Sequence, residues 1–457
     1  MENVIMKDLF AAANTVKMYG NAFEKVEKIV IDSRKAGKDT LFVAIKGENF
    51  DGHDFIEECY KNGCRLFMVN KDSNVSIKDD MIVLFVEDTE LGLGLIANMY
   101  KERYKIPYVG VTGSVGKTTT RDMIHAALAG RFNSHKNVGN LNNHLGVPLT
   151  LFELNKDHEC AVLEMGMSHF GEIEYLADML NPDVAVISNI GLSHVENLGS
   201  IEGVLKAKME ITKNFNKRNL LVINGDDEML APLKEQALEY RIKTFGFNEN
   251  NDLYCKSYEL LQDHIKFVCK INGVDETFEV PAIGEHNILN ALSAILVSLE
   301  YGLTVEEIRV GLSKYVSTGM RLDIIKTDKI TVINDCYNAS PTSMKASLKV
   351  LKNLKEGNRG IAVLGDIYEM GEMSELGHRE VGEASVNCAD LLLTVGVDSK
   401  YIYDEAMVRG IGKGNAYHFE GKKQLITFLS GVLEKDDVVL IKASRGMKLE
   451  EVVNAIK

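Results

Sequence analysis

The chain has 457 residues, which is too long for one hydrophobic core, so we expect three domains. Its net charge of −14 argues against nucleic acid as a partner, because nucleic-acid-binding surfaces need clustered positive charge. Seven cysteines without a C-x-x-C spacing argue against a disulfide framework and a zinc ribbon. No apolar run is long enough for a membrane span and no basic-then-apolar leader begins the chain, so we expect a cytoplasmic protein without membrane insertion.

Residues 1–105 are predicted to form a small α/β domain with strands at 28–31, 41–45, 66–69 and 82–86. Polar clusters follow two of these strands, at positions that commonly face a ligand in open α/β sheets. The clustered residues are Ser33, Arg34, Lys46, Gly47, Asp51, Gly52 and His53. Arg34 and Lys46 could hold a diphosphate. The alternative, which the sequence leaves equally open, is that these are charged turn residues and helix caps.

The rest of the chain is organised around residues 106–129. A short apolar strand at 106–111 leads into a glycine-containing loop, and an amphipathic helix follows. The loop residues are Gly113, Ser114, Val115, Gly116, Lys117, Thr118 and Thr119. Inward-facing backbone amides, a helix N-terminus and Lys117 suit a phosphate cradle, and the Thr118 hydroxyl can ligate Mg²⁺. The strict phosphate-loop pattern wants glycine where Val111 stands, so the alternative is a strand–helix turn that binds nothing.

Further polar residues follow strands of the central part of the chain, residues 106–316. Glu164 ends a strand at 160–163, where a carboxylate beside a phosphate loop can ligate Mg²⁺. His194 follows a strand at 184–187, although a lone histidine is more often an ordinary loop residue. Asn142 and Asn143 offer neutral donors and acceptors, or they make a turn-rich loop. Lys208 lies on a helix, where the plain interpretation is a solvated basic face.

The central domain is predicted to end with small antiparallel strands within 254–281, joined by an Asn272-Gly273 hairpin turn. A helix from about 284 to 301 follows, with Asn287 and Asn290 one turn apart on one face of its start.

Residues 317–457 carry four apolar strands at 330–333, 361–364, 391–395 and 438–441 that alternate with helical patterns. This alternation predicts a doubly wound parallel sheet of Rossmann-like type. Polar residues again follow the first of these strands, among them Asp335 and Asn338, and Arg321 lies in the segment that enters the domain.

Several separated motifs resemble one family over nearly the whole chain. They read TGSVGKTT, GNLNNHLGVPLT, EMGMSHFGEI, DCYNASPTSM, GDIYEMGEMSELGH and DSRKAGKDTLFVAIKGENFDGHDF. The chain resembles the Mur ligases, the ATP-dependent peptide ligases of peptidoglycan synthesis. The D-N-P-R motif of the diamino-acid-adding member is absent. The resemblance implies an N-terminal domain, 1–105, that binds a UDP-muramoyl-peptide, a central phosphate-loop ATPase domain, 106–316, and a Rossmann-like C-terminal domain, 317–457, that binds the nucleotide and the incoming amino substrate.

The resemblance also implies roles for single residues. ATP would lie on the loop from Gly113 to Thr119, and its further contacts would be Asn287, Asn290, Arg321, Asp335 and Asn338. Two Mg²⁺ ions would be held by Thr118, Glu164, His194 and Lys208, with Lys208 as a carbamate. Catalysis would rest on Lys117, His194, Lys208 and Arg321. The uridine diphosphate would bind Ser33, Arg34, Lys46, Gly47, Asp51, Gly52 and His53, and the acceptor peptide would lie near Asn142 and Asn143.

The implied reaction joins D-alanyl-D-alanine to the terminal carboxylate of UDP-N-acetylmuramoyl-tripeptide through an acyl phosphate made with ATP, and we expect a monomer. One rival is another ligase of the superfamily, of the diamino-acid-adding or folate polyglutamate type. A second is a phosphate-loop nucleotide switch such as a GTPase. The sequence has neither an N-K-x-D motif nor a D-x-x-G motif downstream of the loop, which disfavours the switch.

Overall fold

The structure is a computed structural model that describes residues 1–2 and 4–457. Within these residues the strands assemble into sheets of five, nine and six strands, which follow one another along the chain. All seven cysteines are buried free thiols, as their spacing predicts. None of the described helices is both long and apolar enough to cross a membrane. The predicted three-part α/β architecture is confirmed.

The first sheet has the strand order β1-β5-β4-β3-β2, and only its edge strand β1 runs antiparallel to its neighbour. Its strands are β1 (Lys17–Tyr19), β2 (Lys28–Val30), β3 (Thr40–Val43), β4 (Leu66–Asn70) and β5 (Ile82–Val86), and its helices are α1 (Met6–Ala12), α2 (Ile56–Lys61) and α3 (Thr89–Lys101).

The central sheet has the order β14-β13-β12-β11-β10-β9-β6-β8-β7, with the phosphate-loop strand β6 between β9 and β8. Its strands are β6 (Tyr108–Thr112), β7 (Ser134–Lys136), β8 (Cys160–Glu164), β9 (Val184–Ile187), β10 (Leu220–Asn224), β11 (Arg241–Gly246), β12 (Leu253–Leu260), β13 (Ile265–Ile271) and β14 (Val274–Val280). Its helices are α4 (Lys117–Leu128), α5 (Gly146–Leu151), α6 (Glu172–Leu180), α7 (Val195–Leu198), α8 (Ile201–Met209), α9 (His286–Glu300) and α10 (Val305–Leu312).

The parallel strands β6 to β11 all end at the same edge of this sheet, so the loops that follow them meet there. The antiparallel extension β12 to β14 contains the predicted hairpin, in which Asn272 and Gly273 both have positive φ, 51° and 85°. Two left-handed residues in succession are what a type I′ turn requires.

The last sheet has the order β15-β16-β20-β17-β18-β19 and is parallel except for β15 at its edge. Its strands are β15 (Asp323–Lys326), β16 (Thr331–Asn334), β17 (Gly360–Gly365), β18 (Leu391–Val395), β19 (Ala416–Phe419) and β20 (Val438–Lys442). Its helices are α11 (Pro341–Leu354), α12 (Ser374–Ser385), α13 (Ser399–Val408), α14 (Lys422–Val432) and α15 (Glu450–Ile456). Separate apolar clusters cover its two faces, which is the doubly wound arrangement that the sequence predicts.

The first two sheets share a core. One apolar cluster runs from residues of the first sheet, such as Leu41 and Met68, through α3 to Leu163 and Ile187 of the central sheet. The N-terminal part is therefore seated on the central part by continuous packing. The strands of the last sheet pack instead into clusters on its own two faces, so this part meets the central sheet mainly across a cleft.

Candidate active site

The glycine loop between β6 and α4 has the backbone that a phosphate cradle needs. Gly113 has φ +149° and Gly116 has φ +84°, and both lie in the region that glycine favours. A Cβ on Gly113 would lie 2.0 Å from Ser188 Oγ, so a side chain there meets both backbone strain and a steric clash. Helix α4 begins directly after Gly116, which places its unpaired N-terminal amides at the loop.

The segment after β9 holds this loop in place. Ser188 Oγ and Asn189 Nδ2 both donate to the Val115 carbonyl, at 2.6 and 2.8 Å, and the Val115 amide donates to Asn189 Oδ1 at 2.9 Å. The Gly191 amide donates to Ser114 Oγ at 2.8 Å. Ser188 and Asn189 are not among the site residues predicted from the sequence. Their position directly after the strand that neighbours β6 was the available signal.

Lys117 turns back onto its own loop. Its Nζ donates to the carbonyl oxygens of Gly113 and Ser114, at 2.9 and 3.4 Å. Burial lowers the pKa of Lys117, and the charge of Arg321 lowers it further, while Glu164 opposes the shift. The Lys117 ammonium is therefore held by two carbonyl groups of its own loop, at the position from which a phosphate loop presents it to an anion.

Thr118, Glu164 and Asn142 form one connected group of oxygen and amide atoms beside the loop. Thr118 Oγ1 donates to Glu164 Oε2 at 2.6 Å, and Asn142 Nδ2 donates to Glu164 Oε1 at 2.7 Å. Asn137, which the sequence analysis passed over, exchanges hydrogen bonds with the Glu164 backbone. A hydroxyl and a buried carboxylate side by side are the hard oxygen donors that Mg²⁺ takes, so these residues fit the ion.

His194 and Lys208 both follow strand β9 in the chain, His194 just before α7 and Lys208 on α8. His194 has φ +62°, and its Nδ1 is buried without an aligned hydrogen-bond acceptor among the described residues. Lys208 is 1 % exposed, so it is not on the solvated basic face of the plain interpretation. Burial, together with the charge of Lys117, lowers the pKa of Lys208 well below its ordinary value. The described residues contain no ready-made group of three His, Cys, Asp or Glu side chains for a metal.

Helix α9 lies beside the loop and is hydrogen-bonded to the helix that follows it, α4. Thr120 Oγ1 donates to Asn290 Oδ1 at 2.9 Å, and Asn290 Nδ2 donates to Asn287 Oδ1 at 2.9 Å. Asn287 Nδ2 in turn donates to the Ile283 carbonyl at 2.7 Å. The two predicted asparagines therefore do meet on one helix face, and the chain of hydrogen bonds ties that face to the phosphate-loop helix.

Arg321 enters the cleft from the segment that joins the central and last sheets. Thr318 Oγ1 donates to Asp122 Oδ2 at 2.5 Å and so fixes this segment to α4. Met320 and Leu322, on either side of Arg321, both have positive φ, 62° and 51°. Such backbone conformations cost energy for non-glycine residues, so the surrounding contacts must hold this segment in place. The guanidinium lies 4.0 Å from the Tyr337 ring centre, and its Nε is buried without an acceptor within the described ranges.

Asp335 is placed at the cleft but its carboxylate is already in use. Oδ2 accepts from Ser347 Oγ and Lys442 Nζ, both at 2.6 Å, and Oδ1 accepts from the Leu322 amide at 3.2 Å. Lys442 also donates to the Asn338 carbonyl at 3.0 Å. Asp335 thus fixes the backbone next to Arg321 as well as facing the cavity.

A cavity of about 1270 Å³ joins these parts. The central part of the chain lines one wall and the C-terminal part lines the other. The predicted residues that line it are Ser114, Val115, Gly116, Lys117, Thr118, Thr119, Asn142, Asn143, Glu164, His194, Asn287, Asn290, Arg321, Asp335 and Asn338. Gly113, Lys208 and the predicted residues of the N-terminal part do not line this cavity.

The N-terminal cluster is a rigid turn apart from that cavity. Arg34 is 84 % exposed and pairs through Nε and Nη2 with Asp32. His53 Nδ1 lies 2.6 Å from Asp51 Oδ1, and its Nε2 accepts from the Asn70 amide at 3.0 Å. Both ring nitrogens are therefore engaged, one within the turn and one with the end of β4.

Other predicted residues of this cluster are fixed by the backbone. Lys46 and Asp51 form an isolated β-bridge, Gly47 donates to the Phe50 carbonyl, and Gly52 donates to the Ile45 carbonyl. Ser33 begins a short 3₁₀ helix that Asp32 caps. Asp32 and Asp51 therefore act as caps, which is one of the alternatives that the sequence left open. Arg34 remains exposed to solvent.

Comparisons with known proteins agree with this geometry. Three family profiles match: "Mur ligase family, catalytic domain" at 25–104, "Mur ligase middle domain" at 111–298 and "Mur ligase, glutamate ligase domain" at 320–445. The UDP-N-acetylmuramoyl-tripeptide–D-alanyl-D-alanine ligase of Bacillus subtilis is 40% identical over 430 residues, which cover 94% of this chain and 92% of that protein.

Solved structures show the same likeness. A crystal structure of MurF from Acinetobacter baumannii has a TM-score of 0.90 and 30% identity, covering 99% of this chain and 98% of that one. MurF ligase from Thermotoga maritima, in complex with ADP, has a TM-score of 0.82 and 28% identity, covering 95% and 97%.

The fold and the site together define an α/β enzyme with a glycine loop of phosphate-loop type beside a cleft between two sheets. The chain belongs to the Mur ligase family. It is an ATP-dependent ligase that forms an amide bond.

The geometry of Gly113 generates a direct prediction. In Gly113→Ala, ATP–Mg²⁺ binding should weaken at least tenfold, on the order of 1.4 kcal/mol, because the new Cβ meets Ser188 and the φ of +149° is strained. Isothermal titration calorimetry with a non-hydrolysable ATP analogue measures this. Gly191→Ala is the control, since a Cβ there lies 3.6 Å from Ser114 Cβ, an ordinary contact. Equal affinities in the two variants would contradict the predicted cradle.

Proposed function

We propose that this enzyme joins D-alanyl-D-alanine to the terminal carboxylate of UDP-N-acetylmuramoyl-tripeptide, with ATP, in peptidoglycan precursor synthesis. The curated relatives that carry this activity in their name match over more than nine tenths of the chain. The observation that carries the proposal is the cavity that has the phosphate loop on one wall and Arg321 on the other. Such a cleft can hold ATP and a carboxylate together while excluding water.

We assign a task to each part of the chain. Residues 1–105 bind the UDP-muramoyl-peptide, with Ser33, Arg34, Lys46, Gly47, Asp51, Gly52 and His53 as the predicted contacts. His53 contributes by shaping the turn, because both its ring nitrogens are engaged. Residues 106–316 bind and activate ATP, and residues 317–457 bind the nucleotide and the incoming dipeptide.

The first chemical step makes the carboxyl group reactive. A carboxylate resists attack by an amine, so its oxygen first attacks the γ-phosphorus of ATP, which forms an acyl phosphate and releases ADP. Lys117 moves from the Gly113 and Ser114 carbonyls onto the transferring phosphate. Arg321, whose Nε has no acceptor among residues 1–2 and 4–457, supplies a second positive group from the opposite wall. Placing the two charges where negative charge develops is the main source of catalysis.

Mg²⁺ fits beside the loop, and two ions are proposed. Thr118 and Glu164 would hold the first, and His194 with a modified Lys208 would hold the second. When bound, the ions neutralise the phosphate oxygens and orient them for transfer. Asn142, which already donates to Glu164 Oε1, keeps that carboxylate turned toward Thr118.

Lys208 is suited to carry a carbamate. Burial lowers the pKa of the Lys208 amine and so favours its neutral form, and only a neutral amine attacks CO₂. The product is an anion, which can sit beside a cation where an ammonium would be repelled. The burial of Lys208 thus supports the modification that the family resemblance implies.

In the second step the amine of D-alanyl-D-alanine attacks the acyl carbon, phosphate leaves, and the amide forms. Asn143 and Asn142 lie on the cavity wall and offer polar contacts to the acceptor peptide. The contacts of the nucleotide come from Asn287, Asn290, Asp335 and Asn338. We also propose that the enzyme acts as a monomer in the cytoplasm, where ATP and nucleotide-linked precursors are made.

The reaction is tested by phosphate release from ATP. Release should require both UDP-N-acetylmuramoyl-tripeptide and D-alanyl-D-alanine, and mass spectrometry should find the pentapeptide product. Lys117→Ala should lower kcat by two orders of magnitude or more, because a charge that acts in the transition state is lost. Lys156→Ala, an exposed loop lysine, should behave as the wild type.

The same assay separates the rivals. Product formation with a diamino acid or with glutamate, but not with D-alanyl-D-alanine, would indicate a sister ligase. Phosphate release that needs no amine acceptor would indicate a nucleotide switch.

The carbamate is tested on Lys208 itself. With ¹³C-bicarbonate the wild type should show a carbamate signal in the ¹³C NMR spectrum, and CO₂-depleted enzyme should regain activity when bicarbonate is added. Lys208→Met should lack the signal and most of the activity, since the anion cannot form. Lys206→Met removes an exposed lysine of the same helix and should keep both. A signal that survives in Lys208→Met would place the carbamate elsewhere.

A further inference from the structure

Glu369 is a half-exposed charged residue beside the cleft, in contact with His194 of its lining. It lies in the loop after β17, within the motif GDIYEMGEMSELGH, on the C-terminal side of the cleft. Its backbone has φ +62°, a conformation that costs energy for a glutamate. The contacts of the loop must therefore stabilise this backbone conformation.

The side chain of Glu369 reaches across to the central part of the chain. Its Oε2 lies 2.6 Å from His194 Nδ1, and His194 is itself strained, also with φ +62°. The two atoms are at ion-pair distance, but the Nδ1–H is not aligned as a hydrogen bond. No other acceptor among the described residues forms a hydrogen bond with this buried Nδ1. A rotation of the ring would therefore align the Nδ1–H with Glu369, and no other acceptor would compete for it.

The neighbouring contacts show that the whole loop is seated on the His194 segment. Gly371, with φ +50°, places its Cα against Glu196, where an added Cβ would lie 3.3 Å from Glu196 Cβ. The short 3₁₀ helix Gly371–Met373 packs on α7, which begins directly after His194. The negative charge of Glu369 also acts on Lys117, where it opposes the lowering of the pKa by burial. Glu369 thus faces both the predicted metal side and the phosphate side of the cleft.

We propose that Glu369 is a positioning residue, which holds His194 through Nδ1 across the cleft and so presents the other ring nitrogen, Nε2, to the cation. A metal-binding histidine commonly donates its second ring N–H to a carboxylate, which fixes its orientation, and loss of that partner weakens metal binding about 10- to 100-fold. Here the carboxylate comes from the C-terminal part of the chain. The inference rests on the proposed role of His194 as a metal ligand.

If Glu369 holds His194, the metal site depends on contact between the central and C-terminal parts. The carboxylate can reach His194 only while the loop of Glu369 and Gly371 is docked on the central part. The cation site of the central part would then be complete only when the cleft is closed, which would prevent ATP from being used before the C-terminal part is in place.

The test measures Mn²⁺ binding in place of Mg²⁺, from the electron paramagnetic resonance signal of free Mn²⁺. The protein is saturated with a non-hydrolysable ATP analogue and contains no peptide substrate, so the result does not depend on which amide is made. Glu369→Ala should weaken Mn²⁺ binding about tenfold. The control Glu372→Ala removes an exposed carboxylate three residues away and should bind Mn²⁺ as the wild type does. Thermal unfolding checks that each variant is folded.

A double-mutant cycle with His194→Ala decides whether Glu369 acts through His194. In the His194→Ala background, Glu369→Ala should cause no further loss. Wild-type Mn²⁺ affinity in Glu369→Ala, or an undiminished further loss in the double variant, would overturn the proposal. If His194→Ala alone leaves Mn²⁺ binding unchanged, the proposed metal role of His194 fails and this inference fails with it. If His194→Ala weakens binding but Glu369→Ala does not, only the positioning role is wrong.

Discussion

The register between β6 and β8 is the constraint on which the site depends. These strands are parallel neighbours, and Val111 pairs with Glu164, so the carboxylate lies one strand away from the start of the glycine loop. Thr118 Oγ1 can then reach Glu164 Oε2, and the two oxygens form the place that suits a cation. A shift of this register by one residue would turn the Glu164 side chain to the other face of the sheet, and the site would not form.

Many hydrogen bonds fix the backbone and the side chains around Thr118 and Glu164. Ser188 and Asn189 hold the loop from one side, and Asn137 holds the Glu164 backbone from the other. Catalysis by charge placement gains from such rigidity, because donors and charges that are already in position need no reorganisation during the reaction. Although the net charge is −14, Lys117 and Arg321 place positive charge locally at the cleft.

The three parts of the chain are joined in two different ways. The first and central sheets share a continuous apolar core, which resists relative motion. The C-terminal sheet meets the central part across the cleft, through contacts such as Thr318 with Asp122 and Glu369 with His194. Motion during the reaction is therefore expected at the cleft, where polar contacts can be exchanged, rather than between the first two sheets.

The sequence by itself determined the order of the main elements, the glycine loop and part of the set of residues that line the cavity. Apolar runs with fixed spacing predict buried strands, and the polar residues after parallel strands must meet at one sheet edge. The short or partly polar strands β1, β7, β11, β15 and β19 were not predicted, since their residues lack a clear apolar pattern and pair only because a neighbouring strand is there.

Only the tertiary structure decided which polar residues are partners. Asn137, Ser188 and Glu369 gain their roles from contacts with residues far away in the chain, and no local pattern carries that information. The same holds for Lys208, whose sequence suggests a solvated helix face and whose burial depends on what packs over it. Long-range packing sets burial, and burial sets the charge state of such a group.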